Sequence, residues 1–362
     1  LDQAIHALHR AVDLTAPDDP NQTRHIIALA NAYIDRLDTT REQPGDLDQL
    51  LTIQEQLTHH PDTATNPTTW AIYGHGLRRR WQRDPANHSD DLDQAIHALH
   101  RAVDLTAPDD PNQTRHMIAL ANAYADRTGT DREGDEDLDN LVKLRRDVAH
   151  RSDAADRARA WAALGEALNL RWQRHRWSFD LDDHIQALDQ AYRLSNPDDD
   201  QYTSRLMRLV SALAERLESG TGFPARSLEQ VDDLDRLIAL LNEAVTRPDV
   251  EDLSALEAFR AECHLRRWHR AGGGYQTPEE NADLVAALNA ARAALTASQP
   301  DEEQDRCVLA ANMTLLAYIN NVGDVLLQEA ISLAKRAQKP GNPPAAELAP
   351  PLRRAVRSGI QG

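Results

Sequence analysis

Leu1, Ala4, Ile5, Leu8, Ala11 and Val12 recur at intervals of three and four, which predicts a one-faced helix over residues 1–14. Ala16-Pro17-Asp18-Asp19-Pro20 follows it, and two prolines with two aspartates end one helix and cap the next. The next helix, about 22–36, sets Ile26, Leu29, Ala30 and Tyr33 on one face. Pro44-Gly45-Asp46 leads into a helix over 47–57, and the stretch from Pro61 to Pro67 leads into one bearing Trp70, Gly74 and Trp81. Nothing alternates with a period of two for long enough to predict a strand.

The pattern then starts again. Residues 1–36 return at 92–127 with two changes, Ile26 to Met117 and Ile34 to Ala125, and the offset of 91 persists from Leu47 to Leu138, Trp70 to Trp161 and Trp81 to Trp172. A chain that repeats at fixed spacing is a stack of similar units, each covering its neighbour's apolar face. Later units drift: Leu181–Leu194 answers Leu92–Leu105 at an offset of 89, Asp232-Asp233-Leu234-Asp235 answers Asp46-Leu47-Asp48, and Trp268 answers Trp172 at 96. Loops at 219–224 and at Gly272-Gly273-Gly274 absorb the slips, and further helices fall near 282–295, 301–319 and 325–337. The expected organisation is an array over 1–338, with 91-residue units at 1–91 and 92–182 and about sixteen helices in all, then a Pro/Ala-rich linker or partial cap and a short terminal helix over 339–362.

Forty basic against 58 acidic residues give a net charge of −18, which disfavours nucleic acid and anionic membrane surfaces as partners. Two cysteines, Cys263 and Cys307, rule out a disulfide scaffold and fit a reducing cytoplasm. No apolar run is long enough to span a bilayer.

Inside the helices the residues resemble the tetratricopeptide (TPR) pattern, in which W-x₂-L-G-x₂-Y on one helix faces A-x₃-F on its partner. Trp161, Leu164, Gly165 and Leu168 (where Tyr is usual) carry it, as do Trp70, Tyr73, Gly74 and Leu77; the sets Ile26/Leu29/Ala30/Tyr33 and Met117/Leu120/Ala121/Tyr124 are further matches. Partner helices show Ala4, Leu8, Ala11 and Pro17, then Ala95, Leu99, Ala102 and Pro108, and more loosely Ala187, Ala191 and Pro197. The pairs are spaced by about 45 residues rather than about 34, and Glu257 stands where the frame predicts tryptophan. The D-L-D-x-A-I and A-P-D-D-P style is similar to the repeats that precede CHAT-type (caspase-like) peptidase domains of actinobacterial proteins. The resemblance implies an all-α right-handed superhelical solenoid of antiparallel hairpins. In that frame Leu1–Leu14 is a second-type helix without its partner, and the chain reads as a piece of a longer protein.

Asp2, His6, His9 and Asp13, repeated at Asp93, His97, His100 and Asp104, share one helix stripe whose spacing suits zinc; the plainer reading is a solvated face opposite Ile5, Leu8 and Val12, so no metal or other cofactor is expected. Cys263-His264 cannot act as nucleophile and base, because neighbours on a helix point about 100° apart. The glycine run at 272–274 lacks the lysine of a phosphate loop. Arg78-Arg79-Arg80 and Arg266-Arg267 read as partners for acidic side chains within the chain. In TPR arrays the first helices line the concave surface, and the residue after the small one contacts ligand; the resemblance places Asn31, His75, Asn122 and Glu166 there, with Asn169 one turn on. Arg24 and Arg115 lie seven residues before the asparagines, and Arg78 and Arg79 one turn after His75. Asn31 and Asn122 would act as two equivalent grips on a peptide backbone. The expected function is a non-catalytic protein- or peptide-binding scaffold of a larger protein, serving a CHAT-type peptidase; a sensing arm of a signalling NTPase and a helical-repeat enzyme with a small-molecule site are the alternatives.

Overall fold

A computed structural model describes residues 1–16, 19–39, 42–151, 154–219, 227–273, 281–322, 325–338 and 347–357. Pro17 and Asp18 of the first breaker, the loop at 220–224, Gly274, the Asp232 side chain and 339–346 lie outside the described residues. Two compact units, 1–194 and 195–362, divide the chain. The first holds α1 (Asp2–Leu14), α2 (Pro20–Leu37), α3 (Asp46–His59), α4 (Pro67–Arg83), α5 (Asp91–Leu105), α6 (Pro111–Arg127), α7 (Asp137–Arg151), α8 (Ala154–His175) and α9 (Ser178–Arg193). The second holds α10 (Tyr202–Ser219), α11 (Ser227–Ala244), α12 (Leu253–Arg270), α13 (Ala282–Ala297), α14 (Glu303–Ile319), α15 (Leu327–Arg336) and α16 (Pro350–Arg357). With no strand among the described residues, the fold is an all-α solenoid.

α2, α4 and α6 begin where an Asx-Pro pair tells them to. Asn66 and Asp110 accept the backbone N–H of Thr68 and Asn112 at 3.0 and 2.8 Å, each followed by a proline that has no N–H to lose. Consecutive helices then pack as hairpins around buried Leu and Ala. The glycines of the TPR pattern sit at the crossings: a Cβ on Gly74 would meet Leu99 Cγ at 2.7 Å, and one on Gly165 would meet Leu188 Cδ2 at 3.0 Å. Glu257, in the tryptophan position, is buried and paired with Arg260 at 2.6 Å; Ala261 and Trp268 beyond it are buried.

The D-L-D motif has a physical role that the sequence pattern did not disclose. The first aspartate begins the second helix of a hairpin and accepts a forked arginine from the first helix; the second aspartate reaches the arginine of the following hairpin. Thus Arg80 on α4 binds Asp91 on α5 at 2.6 and 2.8 Å and Asp48 on α3 at 2.9 Å. Arg127 binds Asp137 and Asp93, Arg171 binds Asp180 and Asp139, Arg36 binds Asp46 and Asp2, and Arg267 of the second unit binds Asp283 and Asp235. Each fork stitches a hairpin to the one before it. Bidentate charge-assisted bonds of this kind fix orientation as well as contact.

At the tail, Leu348, Leu352 and Val356 join Ala330, Ala334 and Cys307 in one buried cluster, so α16 packs as a cap on the second unit. Part of the Asp/His stripe is used inside the fold, since Asp2 and Asp93 enter the arginine forks and His9 and His100 bond the hydroxyls of Tyr33 and Tyr124 at 2.8 and 2.7 Å, while His6, Asp13, His97 and Asp104 are exposed on the solvated face. No group of three metal-ligating side chains is spaced to hold an ion among the described residues.

α1 and α5 have the same sequence over Leu1–Leu14 and Leu92–Leu105 but different surroundings. In α5, Ala95, Ala98, Leu99 and Ala102 are 0% exposed; in α1 only Ile5 is buried, and Ala4 and Ala7 are exposed. Amide exchange is expected to be faster throughout α1 than at the matching α5 positions, because protection follows packing rather than intrinsic helix propensity. Hydrogen-exchange mass spectrometry on a monomeric sample checks this, and equal protection would mean that α1 is covered.

Candidate functional site

In the first unit, α2, α4 and α6 turn neighbouring faces to a common wall. Arg78 on α4 donates to Asp126 on α6 at 2.6 Å, Gln82 joins the same carboxylate at 2.9 Å, and Ile34 of α2 and Asp38 just after it border one cavity with Ile72 and His75 of α4. The cavity measures about 190 Å³ and is also lined by Leu37, Leu47, Leu50, Gly76 and Arg79.

On this wall the near-copies leave the same three side chains open to solvent or nearly so. Arg24, Ile27 and Asn31 follow one another along α2, and Arg115, Ile118 and Asn122 along α6, at spacings of three and four that place them on one face. Ile27 is 39% and Ile118 36% exposed. The isoleucines carried no functional weight in the sequence, since a lone apolar residue beside a core stripe reads as core; their exposure appears only once the neighbours are placed.

The two asparagines are not equivalent. Asn31 is exposed and makes no side-chain hydrogen bond among the described residues, whereas Asn122 is half-buried and accepts from Arg145 of α7 at 2.7 Å. The copies diverge after residue 127, so the helix behind Asn122 differs from the helix behind Asn31. Arg78 and Arg79 are not free ligand contacts either: Arg79 bonds Leu37 O at 3.0 Å and Glu42 at 3.4 Å, and Arg78 is held by Asp126. The expected in-chain use of these arginines is what the structure shows. Glu166 is exposed beside Arg145, and half-buried Asn169 accepts from Gln173 at 3.4 Å.

Charge gathers around His75. Its ring keeps an exposed edge, yet the crowding of protein around it, with Arg78, His116 and Arg115 beyond, holds its pKa below the usual histidine value. Burial also lowers His100 and His116. His116 Nδ1 lies 2.9 Å from the Thr106 hydroxyl; that hydroxyl already donates to Ala102 O at 2.6 Å, so His116 donates and is protonated on Nδ1. Burial lowers the Arg145 pKa in turn, and its charge neighbours are Glu166 and Arg78.

These histidines set an acid limit. A histidine whose pKa is lower folded than unfolded favours the folded state above the unfolded value, near 6.5, and that stability is lost as pH falls through the folded value. The melting temperature is therefore expected to hold from pH 8 to 7 and to fall as pH drops below about 6.5. His116→Gln should shallow that slope. A flat Tm between pH 7 and 5 would exclude the linkage.

Cys263 and Cys307 are 0% exposed, and burial raises the Cys263 thiol to about 12, so neither is poised as a thiolate. His264 Nδ1 instead lies 2.8 Å from Asp283, which Arg267 also holds.

No family model matches the chain, and the search of curated proteins returns no match. Among solved structures it is similar to BtubC (BKLC) from P. vanneervenii, at 12% identity and TM-score 0.36 over 90% of this chain and 95% of that one. Nro1, described as a nuclear import adaptor, is 15% identical at TM-score 0.43 over 86% and 99%; a circular tandem repeat protein is 15% identical at 0.34 over 99% and 92%. These likenesses concern fold alone. The reading as an all-α helical-repeat array stands on the chain's own hairpins, with small residues at their crossings.

Proposed function

We propose that the chain is a non-catalytic scaffold whose first unit holds an extended peptide along the wall of α2, α4 and α6. One observation carries this reading: the exposed row Arg24–Ile27–Asn31 recurs as Arg115–Ile118–Asn122, with an aliphatic cavity beside the first row. A carboxamide can accept from a peptide N–H and donate to its C=O, an exposed isoleucine offers apolar contact, and the arginines favour acidic neighbours. The cavity, at about 190 Å³, is smaller than the roughly 300–1,000 Å³ of a site for a drug-sized molecule, which favours a side chain over a free substrate. The negative net charge makes nucleic acid and anionic lipid the less favoured partners. The repeat style extends the proposal to a regulatory arm for a CHAT-type peptidase, and the full open reading frame decides that part.

Selection of random heptapeptides displayed on phage against the whole chain, followed by binding of the recovered peptide to Ile27→Ser/Asn31→Ala, tests the wall. The double variant is expected to bind at least about tenfold more weakly, since a side-chain hydrogen bond nets roughly 0.5–1.5 kcal/mol and the isoleucine contact adds to it. Its melting temperature should be unchanged. Equal binding would place the site off this wall.

A further inference from the structure

The two copies differ most in what their second helices place behind the wall. Where α3 has Gln54, buried and with Oε1 unpartnered, α7 has Arg145. The stitching arginines fork onto carboxylates, but Arg145, half-buried, bonds only the neutral Asn122 Oδ1, and no carboxylate lies within ion-pair distance of it among the described residues. A partly desolvated guanidinium whose other donors take no protein acceptor among the described residues favours an arriving anion. Glu166, its nearest negative neighbour in charge, is exposed and screened by water.

The other end of the wall is apolar. The α2–α3–α4 cavity presents Ile34, Leu37, Leu47, Leu50 and Ile72, and Gly76 lines it where α3 and α4 pack closely, since a Cβ there would meet Leu51 Cδ2 at 2.9 Å. In the following copy the counterparts of Ile34, Ile72 and Gly76 are Ala125, Ala163 and Ala167. The aliphatic lining and the uncommitted arginine thus belong to different copies, and the wall has a direction.

We infer that the wall reads a polarised peptide: one aliphatic side chain enters the α2–α3–α4 cavity, and a carboxylate further along is taken by Arg145, which Asn122 holds in place. This rests on the peptide-binding reading and gives the ligand its chemistry. Arg145 is here a ligand contact and Asn122 a positioning residue.

The test uses fluorescence anisotropy of the whole chain with labelled, C-terminally amidated octapeptides on a Gly/Ser background. Each carries one leucine and one glutamate at every spacing; matched sets replace glutamate by glutamine, leucine by serine, or glutamate by a free C-terminal carboxylate. At one spacing the Leu/Glu peptide should bind at least tenfold more tightly than its Leu/Gln and Ser/Glu counterparts, and the free-carboxylate set shows whether a side chain or a chain end is preferred. Arg145→Gln should erase the preference for glutamate while keeping that for leucine; Ile72→Phe, which fills the cavity, should do the reverse. Arg145→Lys should recover part of the glutamate preference. Equal binding of Leu/Glu and Leu/Gln peptides by the wild-type chain overturns the inference, whatever the variants' stability. Binding that ignores both leucine and glutamate yet falls with Asn31→Ala overturns it while leaving peptide binding intact. Phage selection that enriches no peptide removes the peptide-binding reading itself.

Discussion

Replacing Arg171 with methionine is expected to destabilise the first unit by about 3–5 kcal/mol, the cost of leaving a buried charge without its partner. Asp180 is 0% exposed, and three of its contacts with Arg171 lie at 2.6–3.1 Å. Removing the guanidinium leaves a carboxylate that water cannot reach. The second arm of the fork, to Asp139 at 2.6 Å, matters less because Asp139 is exposed. The double variant Arg171→Met/Asp180→Leu should recover most of the loss, since apolar side chains can replace a buried ion pair at little net cost. Arg146→Met, which breaks a pair with Asp183 that is about 40% exposed on both sides, should cost under about 1 kcal/mol. Urea denaturation of the four proteins gives the ranking. Equal losses at Arg171 and Arg146 would mean that the forks contribute no more than surface pairs.

Leu164→Ala is expected to cost about 2–5 kcal/mol, because Leu164 is 2% exposed inside a continuous cluster and its neighbours can only partly close the gap. The glycine crossings predict the opposite failure, overpacking. Gly74→Ala should be worse than Gly165→Ala: the new methyl at 74 meets Leu99 Cγ at 2.7 Å and the Ala95 carbonyl at 3.1 Å, whereas at 165 it meets the Leu188 side chain at 3.0 and 3.3 Å. A backbone carbonyl cannot rotate away as a leucine tip can, so the loss at 74 should lie near the upper part of the roughly 1–3 kcal/mol typical of overpacking. The same denaturation series checks it. If Gly74→Ala unfolded with the parent, the close α4–α5 crossing would be wrong.

Much of the fold was legible in the chain because it depends on local chemistry and repetition. Helix starts at Asn66-Pro67 and Asp110-Pro111, the apolar stripes, and the glycines at 74 and 165 each state a need that neighbouring residues or an identical copy make explicit. The resemblance to the TPR pattern put Arg24, Asn31, His75, Arg115 and Asn122 on related faces, and the offset of 91 makes Arg24 and Arg115, and Asn31 and Asn122, matching positions in the stack.

What needed the tertiary structure is what near-identical segments do in different surroundings. The same helix is buried as α5 and half bare as α1; the same asparagine is open at 31 and engaged at 122. The sequence showed the aspartates of D-L-D and the arginines some ten residues before them, but their pairing joins three helices across two hairpins, and no local period reveals it. Arg145 carried no signal, because a lone arginine on a second helix reads as solvated surface until the helix behind the wall is placed. Periodicity fixes which face a residue occupies; burial, ion pairing and the availability of a side chain for a ligand depend on what packs against that face, and that information is non-local.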